Sequence, residues 1–252
     1  FDPSNTLFYV GLGVLAGLLS VYFTRISIWV ESSFKGMLPL WWQRFLLGSL
    51  LLGVLIFFFP ALYGEGYEAI NQSLNGDFSA LYNKSLFFDF KDDMWVVFAL
   101  FAAVLLMKAF ATSLTFAAGG VGGIFAPALF LGAFLGLFYA VFINHTGLGG
   151  LDPGKFAVVG MGGMIAGILH APLTGIFLIA EITGGYNLFV PLMIVSTIAY
   201  ATAKVFVTNS IYTYQLASRG ELMTHNKDKS VLNMMKVGRL VETNFHRIKP
   251  GQ

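Results

Sequence analysis

The run MWVVFALFAAVLLMKAFATSLTFA, residues 94–117, limits what this chain can fold into more than any other feature. It carries a single charge, Lys108, and exceeds the roughly 20 residues that cross a bilayer as a helix. In hydrocarbon every backbone N–H and C=O needs a partner within the protein, so such a run reads as a transmembrane helix. Three further apolar runs, at about 7–29, 40–59 and 124–143, have the same character. Only 11% of the 252 residues are charged, where a soluble domain has about a quarter, so the chain cannot cover an ordinary water-facing surface. The class is an all-α, polytopic membrane protein. Its 26 Phe and 29 Gly suit closely packed transmembrane helices.

A net charge of +2 leaves no footprint for nucleic acid, which is not expected as a partner. With no cysteine there is no disulfide framework and no thiolate metal site. The start, FDPSNT, has no basic segment, so it is not a signal peptide and reads as a chain entered partway through. Gly13 and Gly17 have the GxxxG spacing of close helix contacts. Pro39 and Pro60 bracket the second span. A polar insert, Tyr63 to Asp93, offers one short amphipathic helix, and Glu65 and Glu68 within it read as solvated. Beyond Pro153 the apolar segments shorten, to about 156–169, 173–183 and 188–207, punctuated by Pro172, Gly184-Gly185 and Pro191. These read as broken or re-entrant helices whose prolines sit in first turns. A last short segment opens near Ile211. From Arg219 the tail holds Lys227, Lys229, Lys236, Arg239, Arg247 and Lys249, which places this end in the cytoplasm.

Within this pattern GGVGGIFAPALFLGAFLG, Gly119 to Gly136, is unusual. It is either a tight turn at the membrane surface or the start of a helix exposed inside the membrane. The first N–H groups of a helix have no intrahelical acceptor and carry about half a positive charge. An anion arriving from a water-filled vestibule would satisfy them, and glycine at 122 and 123 keeps the approach to the amides of Ile124 and Phe125 open. Few carboxylates lie inside apolar runs (Glu181 is the deepest), which argues against a cation pathway. No HExxH, GxSxG or paired intramembrane carboxylate suggests an enzyme, and no catalytic residue, metal or cofactor is expected.

GGIFAP, Gly122 to Pro127, resembles the GxFxP anion-filter motif of the CLC family of chloride channels and chloride/proton antiporters. GMGGMIAGILHAPLTGIFLIAEITGGYNLFVPLMI, Gly160 to Ile194, is similar to the family's next helices, and IYTYQLASRG, Ile211 to Gly220, to the helix that brings a tyrosine to its central ion site. The resemblance implies that Gly123, Ile124 and Phe125 bind the anion through the backbone, with Gly122 and Pro127 shaping the loop. It implies a hydroxyl from Tyr212, preferred to Tyr214 because Leu216-Ala217 then align. Read without the resemblance, Tyr212 is an interfacial anchor, His170 a packed or capping histidine, and Glu181 a structural hydrogen-bonding group.

The resemblance further implies the second of two inverted repeats, with the first repeat, its serine loop and its gating glutamate absent from this chain. Residues 1–218 would form the transmembrane part and 219–252 a linker into a truncated CBS-like domain. The expected partners are chloride or a similar small anion, the lipid of a cell (inner) membrane, the missing N-terminal repeat, and a second copy meeting the segments Leu173 to Val207. The expected function is CLC-type anion transport, as a voltage-gated channel or an antiporter; a broken-helix transporter for another anion or anionic metabolite is the alternative.

Overall fold

The structure, a computed structural model, describes residues 3–64, 66, 71, 94–184 and 186–218. Glu65, Glu68, most of the polar insert and the CBS-like tail from Arg219 lie outside the described residues. Every element among the described residues is helical. In chain order they are α1 (Thr6–Met37), α2 (Trp41–Phe58), α3 (Met94–Ala117), α4 (Phe125–His145), α5 (Pro153–Leu169), α6 (Pro172–Ile182), α7 (Phe189–Phe206) and α8 (Ile211–Ser218), with 3-10 turns at Pro3–Asn5 and Pro60–Leu62. The chain divides after Ser210 into two compact units. The first holds α1 to α7, and α8 belongs to the second.

The expected spans appear with small shifts, most of them explained by local chemistry. Helix α1 runs past Trp29 to Met37 because nothing in VESSFKGM breaks it, and Lys35 pairs with Glu31 at 2.5 Å one turn apart. It ends where Leu38 turns extended ahead of Pro39, as residues before proline do. Pro60 stops α2 as the sequence predicts. Helix α5 begins earlier than expected because Pro153 takes its first position and the Asp152 carboxylate accepts from the Gly154 and Lys155 N–H groups at 3.0 and 3.2 Å. Helices α1 to α4 and the stretch Phe189–Tyr214 are long and apolar enough to cross a membrane; α5 and α6, at 17 and 11 residues, are not.

Small residues decide which helices touch. Gly13 and Gly17 lie against α7, where a Cβ would come within 2.9 Å of the Ile198 Cβ and 2.5 Å of the Thr202 Cβ. Helices α4 and α5 meet backbone to backbone. A Cβ on Gly132 would lie 2.5 Å from the Gly160 carbonyl oxygen, and one on Gly136 would run into the Phe156 carbonyl. Phenylalanines join α3 to α4, with ring centroids 5.4 Å apart for Phe98 and Phe142 and 5.2 Å apart for Phe101 and Phe134. The pairing is antiparallel, so the end of α3 and the start of α4 share one end of the pair. Ser27 and Ser113 share a 3.0 Å hydrogen bond and the Tyr22 hydroxyl donates to the Leu106 carbonyl at 3.2 Å, tying α1 to α3.

Candidate anion-binding site

The two glycine doublets of GGVGG have separate jobs. Gly119 adopts a left-handed φ of +96° and closes α3: its N–H donates to the Phe116 carbonyl at 3.0 Å, and the Gly120 N–H to the Thr115 carbonyl at 2.9 Å. This is a Schellman turn, and it satisfies the last carbonyls of α3 internally. The α4 start receives nothing comparable. Ile124 occupies the cap position with no side-chain cap, and the first backbone bond is from the Ala128 N–H to the Ile124 carbonyl at 3.0 Å. Pro127, third in the helix, has no N–H to satisfy. The N–H groups of Phe125 and Ala126 therefore begin the helix without an intrahelical acceptor.

Gly122 and Gly123 are exposed, Ile124 and Phe125 half-buried. A Cβ placed on Gly123 would have the Phe125 amide nitrogen 3.9 Å away, an ordinary contact, so the glycine faces that N–H with open space around it. The loop borders a cavity of about 340 Å³ whose lining includes Gly122, Gly123, Pro127, Thr112, Thr115 and Lys108. The two threonine hydroxyls are turned back onto their own helix, donating to the Lys108 and Ala111 carbonyls at 2.9 Å. Lys108 is only 4% exposed. Its ammonium donates to the Leu62 and Gly64 carbonyls at 3.2 and 2.9 Å and lies 4.6 Å from the centre of the Phe130 ring.

A second cavity, about 420 Å³, abuts the other side of the same turn at Ala118 and Gly119 and has Glu31, Lys35, Trp41 and Arg44 on its walls. Phe116 lines both cavities, and its ring lies 3.4 Å from where a Cβ on Gly122 would sit. The sequence did not place Lys108 at the site, yet it forms part of the cavity wall. The signal was there, a lone lysine inside the apolar run of α3, and an ionisable residue so placed is a functional candidate by default.

Gly122, Gly123, Ile124, Phe125 and Pro127 are thus contiguous at one helix start. Tyr212 and Tyr214 lie on α8 in the second unit, where both are exposed. His170 packs as expected, ending α5 with a left-handed φ of 56° and meeting the Tyr200 ring edge-on at 5.7 Å. Glu181 differs from expectation. It is exposed near the end of α6, and among the described residues its carboxylate has no hydrogen-bond partner. On α6 and α7, Leu173, Phe177, Ile182, Val190, Met193 and Val205 are exposed. No group of three or more His, Asp or Glu side chains that could hold a metal ion occurs among the described residues.

Comparison with known proteins agrees with this architecture. A ClcB-like chloride channel protein of Ralstonia nicotianae is 34% identical over 219 residues, covering 84% of this chain and 46% of the relative. An H(+)/Cl(-) exchange transporter, ClcA of Vibrio cholerae, is 32% identical over 213 residues, covering 81% and 41%. The chain therefore spans about half the length of the curated relatives it matches. The crystal structure of a CLC-type fluoride/proton antiporter shares the fold at a TM-score of 0.61 and 22% identity, over 84% of this chain and 46% of that one. The model of the family described as voltage gated chloride channel matches residues 1–204, and the chain belongs to that family.

Proposed function

We propose that this chain is the second half of the membrane domain of a protein that carries chloride or a similar small anion across a membrane, as a channel or an antiporter rather than an enzyme. One observation supports the reading most directly: the uncapped start of α4 opens through Gly122 and Gly123 onto a cavity. There the N–H groups of Ile124 and Phe125 would hold a partly dehydrated anion, and Tyr212 would add its hydroxyl. Binding by backbone dipoles would replace water around the anion without trapping it, which transport requires. In this reading the remaining wall of the site comes from an N-terminal repeat. The exposed apolar positions between Leu173 and Val207 meet a second copy, and the tail from Arg219 is cytoplasmic, beneath an inner membrane. The names of the relatives favour chloride over an anionic metabolite.

The test is chloride efflux from liposomes holding the full-length protein, with sodium gluconate as the control for charge selectivity. The expected result is anion-selective efflux that Tyr212→Ala slows and that chloride outside the liposomes inhibits competitively. Efflux that does not discriminate chloride from gluconate, or a purified protein that moves neither, overturns the proposal.

A further inference from the structure

We propose that the hydroxyls of Thr112 and Thr115 are anion ligands: when an anion enters the cavity beside Gly122 and Gly123, each turns its proton away from its own helix and donates to the ion. The inference rests on the function proposed above and deepens it, adding donors and a basis for choosing among anions. The two residues stand three apart on α3, hence on one face of it, and both line the same cavity as Gly122, Gly123 and Pro127. Thr112 is buried and Thr115 half-buried. Leu52, Ile56 and Ala111 make other parts of that wall apolar. An anion stripped of water needs donors on each side that loses it, and the amides at the start of α4 cover one side only.

The bonds these hydroxyls make without an anion are dispensable. They donate to the Lys108 and Ala111 carbonyls at 2.9 Å. Both carbonyls lie inside α3, where each also accepts a backbone N–H from the residue four positions on, Thr112 and Thr115 themselves. Withdrawing the hydroxyl therefore orphans no carbonyl, and the proton can swing about the Cβ–Oγ bond at little cost. Ser113, between them, differs: its hydroxyl shares a hydrogen bond with Ser27 and ties α3 to α1. Thr115 is also held against the glycine loop. A Cβ on Gly120 would lie 2.8 Å from the Thr115 Cγ2 and 2.7 Å from its carbonyl oxygen. The hydroxyl oxygen is thus fixed on the cavity wall in advance, and only a proton has to move. The competing role is structural: the hydroxyls would do no more than occupy helix carbonyls, as threonines in membrane helices do.

Substitutions in the full-length protein separate the two roles. Thr115→Val, and the same change at Thr112 and Thr115 together, keep the branched shape and delete the donors; Thr115→Ser keeps the donor. Chloride and thiocyanate binding to the detergent-solubilised protein are read by titration calorimetry, with thermal unfolding recorded for each variant. The expected result is that Thr115→Val weakens chloride binding roughly fivefold and the double variant at least about tenfold, while Thr115→Ser stays within about twofold of the parent. Thiocyanate, whose charge is diffuse, should lose less than half as many fold as chloride in the double variant, so the preference for chloride falls. A structural role would weaken both anions alike. Equal chloride affinity in the parent and the double variant overturns the proposal, and so does a serine variant as weak as the valine variant or an equal loss for the two anions. If a valine variant does not give monodisperse protein, alanine is measured in its place against the same criteria. A parent that neither binds nor moves chloride refutes the transport function itself, whereas a parent that moves chloride with affinity indifferent to both threonines refutes only this assignment.

Discussion

Helices α4 and α5 lie against each other, yet they begin in opposite ways. Asp152 supplies a carboxylate to the first N–H groups of α5, so that helix brings its own anion. Ile124 has no side chain that could do the same for α4, and the two residues before it are glycines. Other helix starts also lack a side-chain cap, those of α1, α2, α6 and α7 among them. What sets α4 apart is the combination of bare amides, no obstructing Cβ and an adjacent cavity with a buried ammonium on its wall. A capped start is complete within the chain; an uncapped start beside a cavity is complete only with something bound. The difference amounts to one carboxylate, which makes it open to experiment.

The largest effect should come from pushing the two helices apart. Gly136→Leu would drive a side chain into the Phe156 carbonyl, and the α4–α5 contact has no room to yield. The cost exceeds about 3 kcal/mol, at the top of the range for overpacking, and the expected readout is aggregated rather than monodisperse protein on size exclusion. Next comes giving α4 the cap that α5 already has. Ile124→Asp places a carboxylate where the anion would bind, and chloride efflux should fall about a hundredfold or more while thermal stability is unchanged or slightly raised. Normal efflux in a folded Ile124→Asp protein would mean the start of α4 is not the site.

A smaller effect is expected of Tyr212→Phe, which deletes one hydroxyl and leaves the ring. Loss of one hydrogen bond worth about 1 kcal/mol should weaken chloride binding roughly fivefold, measured by calorimetry on the full-length protein. The same change at Tyr214 should do nothing, and a reversed pattern would reassign the hydroxyl. Smallest is Asp152→Ala. Removing the α5 cap should lower stability by about 1 kcal/mol in denaturant titrations and leave chloride efflux at the parent rate. An effect of Asp152→Ala on efflux as large as that of Ile124→Asp would erase the distinction between the two starts.

Much of this was legible in the residues because the membrane leaves few options. Apolar run lengths and prolines located α2, α3 and α4 closely, since hydrocarbon enforces helix and proline enforces its end. The spacing of Gly13 and Gly17 announced a close helix contact, because only small residues let two backbones approach, but not that α7 would be the partner. The motif at Gly122 to Pro127 marked the candidate site. Other features were not legible. The reach of α1 to Met37 runs through a segment with no helix breaker but with a composition that suits a loop equally well, and the exposed Glu31–Lys35 pair adds only a little to it. That Gly119 and Gly120 close α3 while Gly122 and Gly123 clear the way to α4 is a matter of backbone angles, which identical residue types conceal. The role of Lys108 as a cavity wall required knowing that the turn at Leu62 to Gly64 folds back onto α3, a contact between residues more than forty positions apart.

The glycine contact between α4 and α5 has a mechanical consequence. Where carbonyls of one helix lie against the α-carbons of another there are no side chains to swing aside, and such a joint transmits displacement almost without loss. A rearrangement that shifted Phe125 along the axis of α4 would be expected to carry α5 with it. In the transport proposed above, α4 and α5 would either travel as one stiff body or both stay at rest while single side chains such as Phe116 turn. Paired spin labels on α4 and α5 would keep one separation throughout turnover in both cases, and the separation from α4 to α2, which lacks such a joint, would reveal which of the two occurs.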